Sequence, residues 1–194
     1  SVTILRESHD LKCCICNAKR HCVESESRTQ NGLRWLKNGP GTYASRKYEL
    51  LGIGEEKQIA TIMEDCLNSG NFKKTIQNYQ FLDHMDIYES AVSSVATDLK
   101  VSNPHESLYP VEILKHIEIA LISYFSALTH LSELKADKVF VYNGRMSRFR
   151  PMLRVAQSLG IPVSVYEYPL RGFMNYIVVE NQYPHDFANL SRKI

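Results

Sequence analysis

Residues 138–168, KVFVYNGRMSRFRPMLRVAQSLGIPVSVYEY, read as strand, polar loop, helix and strand. Val139–Tyr142 is a short apolar run of the kind a parallel sheet buries on both faces. Asn143-Gly144 breaks it, and Arg145, Arg148 and Arg150 crowd the loop that follows. Pro151 suits the first turn of a helix, where its missing N–H costs nothing. Met152, Val155, Ala156 and Leu159 follow at helical spacing, Gly160 is a stop signal, and 161–165 is the next strand. Open α/β sheets bind ligands at the carboxyl ends of their strands. Asn143, the arginines and Glu167 would therefore form a polar site at one sheet edge.

Working outward, 194 residues fit one domain, with two small ones as the alternative, and 44% apolar content is enough for a real core. A net charge of +2 gives no electrostatic reason to expect nucleic acid. The N-terminus meets charge at Arg6 and Glu7 before any h-region, so no signal peptide is read. The most apolar helix-like stretch, 117–128, carries Glu118 and is too short to span a bilayer. These features point to a cytoplasmic protein and leave room for peripheral contact with the inner membrane. Five cysteines, an odd number, argue against a secreted disulfide framework.

Elsewhere, Val2–Leu5 reads as a strand at the very start, which fits either a natural opening strand or a fragment whose first strand and helix are missing. Residues 9–31 are a polar, Cys-rich loop. Helices are expected at about 55–68, 86–100 and 111–135, from apolar faces at Ile59, Ile62, Met63, Cys66 and Leu67 and at Ile87, Ala91, Val92, Val95 and Leu99, with the third largely buried. Tyr176–Val179 is a further strand, and Pro184-His-Asp186 opens a last short helix. Strands alternating with helices predict a three-layer, Rossmann-like α/β domain spanning 1–194, with a mostly parallel sheet.

The arginine loop precedes a helix N-terminus, where backbone N–H groups, the helix dipole and guanidinium forks all favour an anion. The competing reading is a solvated surface loop whose arginines pair with nearby Glu residues. Neither G-x-G-x-x-G nor a Walker A sequence accompanies it, which disfavours nucleotide binding by those routes. Cys13-x-x-Cys16 has metal-ligand spacing, and His21 or Cys22 could complete a set. A second C-x-x-C is missing, because Ser25 stands where its second cysteine would be. Reduced, metal-free cysteines are the expectation, and no cofactor is called for. His9, His84, His105, His116, His130 and His185 are scattered and read as surface or core side chains. Glu167, just past a strand, is better placed to bind a sugar hydroxyl or take a proton, with an ion pair to Arg145 or Arg171 as the alternative.

The string Val141-Tyr-Asn-Gly-Arg145, a basic helix, Gly160-Ile-Pro162 and a strand ending in Glu167 resembles the N-terminal half of bacterial capsule and surface-polysaccharide glycosyltransferases. Leu11-Lys-Cys-Cys-Ile-Cys-Asn17 and Ile87-Tyr-Glu-Ser-Ala-Val-Ser-Ser94 are similar to upstream segments of those proteins. The resemblance implies half of a GT-B architecture, in which the N-terminal domain receives the acceptor and a C-terminal domain holds the nucleotide-sugar donor. The family's first strand and helix, and the donor domain, have no counterpart here, so the resemblance implies an acceptor-side piece that is inactive alone. It makes Glu167 the catalytic candidate and Asn143, Gly144, Arg145, Arg148 and Arg150 the substrate-binding candidates, with a glycan or lipid-linked glycan as partner. The reading from another class is a non-catalytic α/β interaction module, metal-stabilised through the Cys-rich loop.

Overall fold

The computed structural model of the chain describes residues 2–7, 43–48, 51–134, 136–167 and 177–182. The chain divides into two compact units, Ser1–Leu50 and Leu51–Ile194. In the first, β1 (Val2–Glu7) and β2 (Tyr43–Tyr48) pair in parallel, with Val2 opposite Tyr43 and Glu7 opposite Tyr48. β1 is the strand expected at the start. β2, YASRKY, lacks an apolar run or clean alternation and is illegible by pattern. The Cys13–Cys22 cluster with His21, and the helix expected at Pro184, lie outside the described residues.

The second unit is mixed α/β. Its elements are α1 (Ile53–Ser69), α2 (Phe72–Asn78), a 3₁₀ turn (Gln80–Leu82), α3 (Ile87–Leu99), α4 (Pro110–Leu134), β3 (Val139–Tyr142), α5 (Arg150–Ser158), β4 (Val163–Glu167) and β5 (Ile177–Glu180). α1 opens with Glu55 and Glu56 in its first turn, where the helix dipole favours acids. The Glu55 carboxylate accepts the Gly52 N–H and also the Thr129 hydroxyl at 2.8 Å, tying the start of α1 to α4. Ile59, Ile62 and Cys66 are buried, while Leu67, expected on the same face, is exposed. α2 is short and capped by the Asn71 side chain, which accepts the Lys74 N–H at 3.0 Å.

α4 runs through the core. Ile113, Ile117, Ala120, Leu121 and Ala127 are fully buried, and α1, α3 and α5 all pack against it. Among the described residues no helix is long and apolar enough to cross a membrane.

The sheet order is β3-β4-β5. β3 and β4 are parallel neighbours, with Val139 opposite Val163 and Tyr142 opposite Tyr166, joined through α5 as expected. β5 is antiparallel to β4, so the described sheet is mixed rather than mostly parallel. The reason is chain length: only residues 168–176 separate the two strands, too few for a parallel crossover, which needs about a dozen residues or more.

α5 ends as its sequence predicts. Gly160 adopts φ 70°, its N–H donates to Gln157 O at 3.0 Å, and the Ile161 N–H donates to Ala156 O at 2.9 Å. α5 buries Pro151, Leu153, Val155 and Ala156, so the buried face includes Leu153 in place of the expected Leu159.

Two substitutions separate packing from backbone terms. Leu121→Ala removes a fully buried side chain from α4 and is expected to lower unfolding free energy by about 2–5 kcal/mol. Gly160→Ala meets no atom within 4 Å of the added Cβ, so only its left-handed backbone resists, at a cost of about 1–2 kcal/mol. Denaturant unfolding of both variants checks the order.

Candidate functional site

β3 hands the chain to α5 through a turn that Asn143 and Gly144 make possible. Both have positive φ, 59° and 71°, which Asn tolerates and Gly adopts freely. The Gly144 N–H reaches back to Tyr142 O at 2.6 Å, closing a three-residue turn on Asn143. The Asn143 N–H donates to Tyr166 O at 2.8 Å and extends the β3–β4 ladder by one residue. Its side chain then bridges the site: Oδ1 accepts the Arg145 N–H at 3.2 Å, and Nδ2 donates to Glu167 Oε1 at 2.6 Å. Asn143 is buried and Glu167 half-buried, so Asn143 holds Glu167 in place more than it faces solvent.

The three arginines fare differently. Arg145 Nη1 donates to Ser93 Oγ at 3.1 Å, while its Nε is buried with no hydrogen-bond partner among the described residues. Arg148 lies on the same loop, and its carbonyl accepts the Ser123 hydroxyl at 2.8 Å. Arg150 is drawn aside: its Nε donates to Asp86 Oδ2 at 2.8 Å, and Arg154 Nε reaches the same oxygen at 2.7 Å. Arg150 therefore ties α5 to the start of α3. At Arg150 the partner is an aspartate, where the competing reading had nearby Glu residues. Glu167 accepts from Asn143, and the alternative ion pair with Arg145 is not formed; the other alternative partner, Arg171, lies outside the described residues.

Beneath the loop lies a polar network that pattern reading does not find. The Ser147 N–H donates to Ser94 Oγ at 2.9 Å, and the two hydroxyl oxygens are 3.0 Å apart. Ser147 Oγ also lies 3.3 Å from Ser90 O and 3.5 Å from His116 Nδ1. His116 Nε2 is 3.1 Å from Asp98 Oδ2. Asp98 sits in the last turn of α3, where the helix dipole disfavours an acid, and His116 offsets that cost. Burial pushes the His116 imidazole below its ordinary value of 6.5. The carboxylate of Asp98 opposes the shift, while Lys115 and Arg148 add to it. Serine, histidine and aspartate in sequence suggest a nucleophile relay, but Ser147 is only 1% exposed and no substrate can reach its oxygen. The group is a structural support for the loop.

A separate open cleft of about 430 Å³ lies between α1 and α2, lined by Asp65, Asn68, Ser69, Thr75, Asn78 and Tyr79. The Tyr79 hydroxyl donates to Asp65, whose carboxylate pushes the phenol up to about 12. None of the residues singled out in the sequence lines it. Among the described residues no group of three or more His, Cys, Asp or Glu side chains could hold a metal ion. No protein-family model matches the chain, and no curated protein or solved structure matches it.

Asn143→Asp tests the bridge. Aspartate tolerates the same left-handed turn, so the main change is two carboxylates within hydrogen-bond distance. Like charge raises the folded-state pKa of the pair above the unfolded value of about 4, so stability is kept below that value and lost as pH rises through the raised one. The variant should be about 1–3 kcal/mol less stable than the wild type at neutral pH, with the deficit shrinking in acid. Denaturant midpoints at two pH values read this. A deficit that ignores pH would mean that Asn143 contributes through the turn alone.

Proposed function

We propose that the chain is the acceptor-binding half of a glycosyltransferase that builds surface or capsular polysaccharide from a nucleotide-sugar donor. The observation that carries this reading is Arg145. It stands at the carboxyl end of β3, its Nε is buried with no described partner, and no carboxylate among the described residues pairs with it. An unmet buried donor costs about 1–3 kcal/mol, which an anionic ligand would recover. The flanking residues suit a sugar. Glu167 is held by Asn143 across two neighbouring parallel strands. The same residues, Asn143-Gly144-Arg145 and Glu167, carry the resemblance to capsule glycosyltransferases.

In this reading the second unit is the Rossmann-like N-terminal half of a GT-B enzyme, and the donor sugar arrives on another domain. Arg145 and Arg148 grip the anionic part of the acceptor, the diphosphate of a lipid-linked glycan or an acidic sugar. Gly144 lets the backbone come close. Glu167 accepts the proton of the attacking hydroxyl, which needs it within about 2.6–3.2 Å of that oxygen. Arg150 works indirectly, by anchoring α5 to Asp86.

Calorimetric titration with a synthetic oligosaccharide on a short-chain prenyl diphosphate tests the reading. Arg145→Ala should weaken binding about tenfold or more, since a charge-assisted hydrogen bond is worth about 1.5–3 kcal/mol, and should leave unfolding free energy nearly unchanged. No binding by the wild type, or equal binding by the variant, would refute the proposal.

A further inference from the structure

α1 and α2 bury Cys66, Phe72 and Ile76 in the core, and they also turn polar faces toward each other. Asp65, Asn68 and Ser69 stand at i, i+3 and i+4 on α1. Thr75, Asn78 and Tyr79 repeat that spacing along α2 and just past its end, so each set lies on one helix face. These six residues line the open cleft of about 430 Å³ between the two helices. Its walls are tied together. Ser69 Oγ lies 2.6 Å from Thr75 Oγ1 and accepts the Asn71 N–H at 3.1 Å. Thr75 Oγ1 donates to Asn71 O at 3.0 Å, and the Tyr79 hydroxyl donates to Asp65 across the gap. Such bonds make the cleft a preformed feature, as small-ligand sites usually are.

We propose that this cleft binds a neutral sugar, as a single pyranose ring or as one residue of a glycan. The chemistry of the lining selects the class. It holds one carboxylate and no cation, which disfavours phosphate and acidic sugars. Tyr79 already donates to that carboxylate and no second acid joins it, so a metal ion or an ammonium group lacks the charge and the ligand number it needs. What remains is hydrogen bonding with little net charge. The carboxamides of Asn68 and Asn78 each offer two N–H donors and an acceptor oxygen. Both residues are exposed, and no hydrogen bond ties either side chain to another described residue. The second Asp65 oxygen adds an acceptor. Each sugar hydroxyl both gives and takes a hydrogen bond, so carboxamides beside a carboxylate match a pair of neighbouring hydroxyls. Half-buried Tyr79 adds an aromatic ring to the lining, an apolar surface with a polar tip that suits the C–H side of a pyranose. The volume also fits, since small-ligand sites run from about 300 to about 1,000 Å³.

The proposal does not rest on the glycan-acceptor reading, because its ligand is uncharged and none of its residues belongs to the Arg145 loop. Proton–nitrogen NMR spectra of the full chain, titrated in turn with glucose, galactose, mannose and N-acetylglucosamine, test it. At least one of these sugars should move the side-chain amide signals of Asn68 and Asn78 saturably, in the millimolar range that suits one ring in an open cleft. Sodium phosphate should leave the same signals in place. The double variant Asn68→Ala/Asn78→Ala changes only exposed positions. It should keep the rest of the spectrum and bind the same sugar about tenfold or more weakly, read from the Tyr79 and Ser69 amides. Arg145→Ala should bind that sugar as the wild type does, which separates loss of this site from loss of diphosphate binding at the loop. The proposal is overturned if none of the sugars moves the cleft signals, if phosphate moves them in place of a sugar, or if the double variant binds as tightly as the wild type. Should the double variant fail to fold, Asn78→Ala alone carries the comparison, with unchanged affinity as the refuting result.

Discussion

Ser90, Ser94, Ser147 and His116 are buried, so their polar atoms are satisfied mainly within the protein. That constraint shapes the region around the candidate site. The turn after β3 could in principle project anywhere. It lies against α3 and α4 because the main-chain N–H of Ser147 finds Ser94, the carbonyl of Arg148 finds Ser123, and the Ser147 hydroxyl meets Ser90 and His116. Apolar burial holds the helices together. The choice of loop conformation belongs to the hydrogen bonds, because a half-satisfied polar cluster costs more than none.

The legible part of the fold is the part with sharp punctuation. Val139–Tyr142 and Val163–Glu167 are apolar runs bounded by Asn143-Gly144, Pro151 and Gly160, and each signal acts where physics says it should. α1, α3 and α4 follow from their 3.6-residue spacing to within a few residues. α2 is too short to show a period, and β2 too polar to show an alternation. The reversal at β5 depends on the length of a connection, which a reading built on alternating strands and helices passes over. In the site, Asn143, Arg145 and Glu167 were visible because strand ends are visible. The support beneath them was not, since Ser147 meets Ser94 from 53 residues away and His116 from 31. A histidine that reads as scattered in the sequence becomes central once helices bring it to a loop. The serine pair in α3 was the one available hint, as small polar residues on a helix face permit close approach.

The three arginines show what a sequence pattern leaves open. Arg145, Arg148 and Arg150 read as one basic cluster, yet their environments divide them. Arg150 shares a half-buried Asp86 with Arg154, a geometry in which removing the carboxylate would strand two cations. Arg145 has its main-chain N–H on Asn143 and one Nη1 contact to a serine, which anchors the side chain without neutralising its charge. Positive charge is therefore spent on architecture at one end of the loop and kept at the other, next to Glu167.

The loop is tethered at both ends, by the Asn143 bonds to β4 and by the Arg150 link to Asp86. Loop-closure entropy grows only with the logarithm of the length released. A segment this short gains little disorder when it lifts, and its excursion cannot exceed the reach of a few residues. The resting position is then decided almost wholly by enthalpic terms. Lengthening the segment by inserting glycines between Gly144 and Phe149 would change that balance, turning a loop that responds to chemistry into one that responds to temperature.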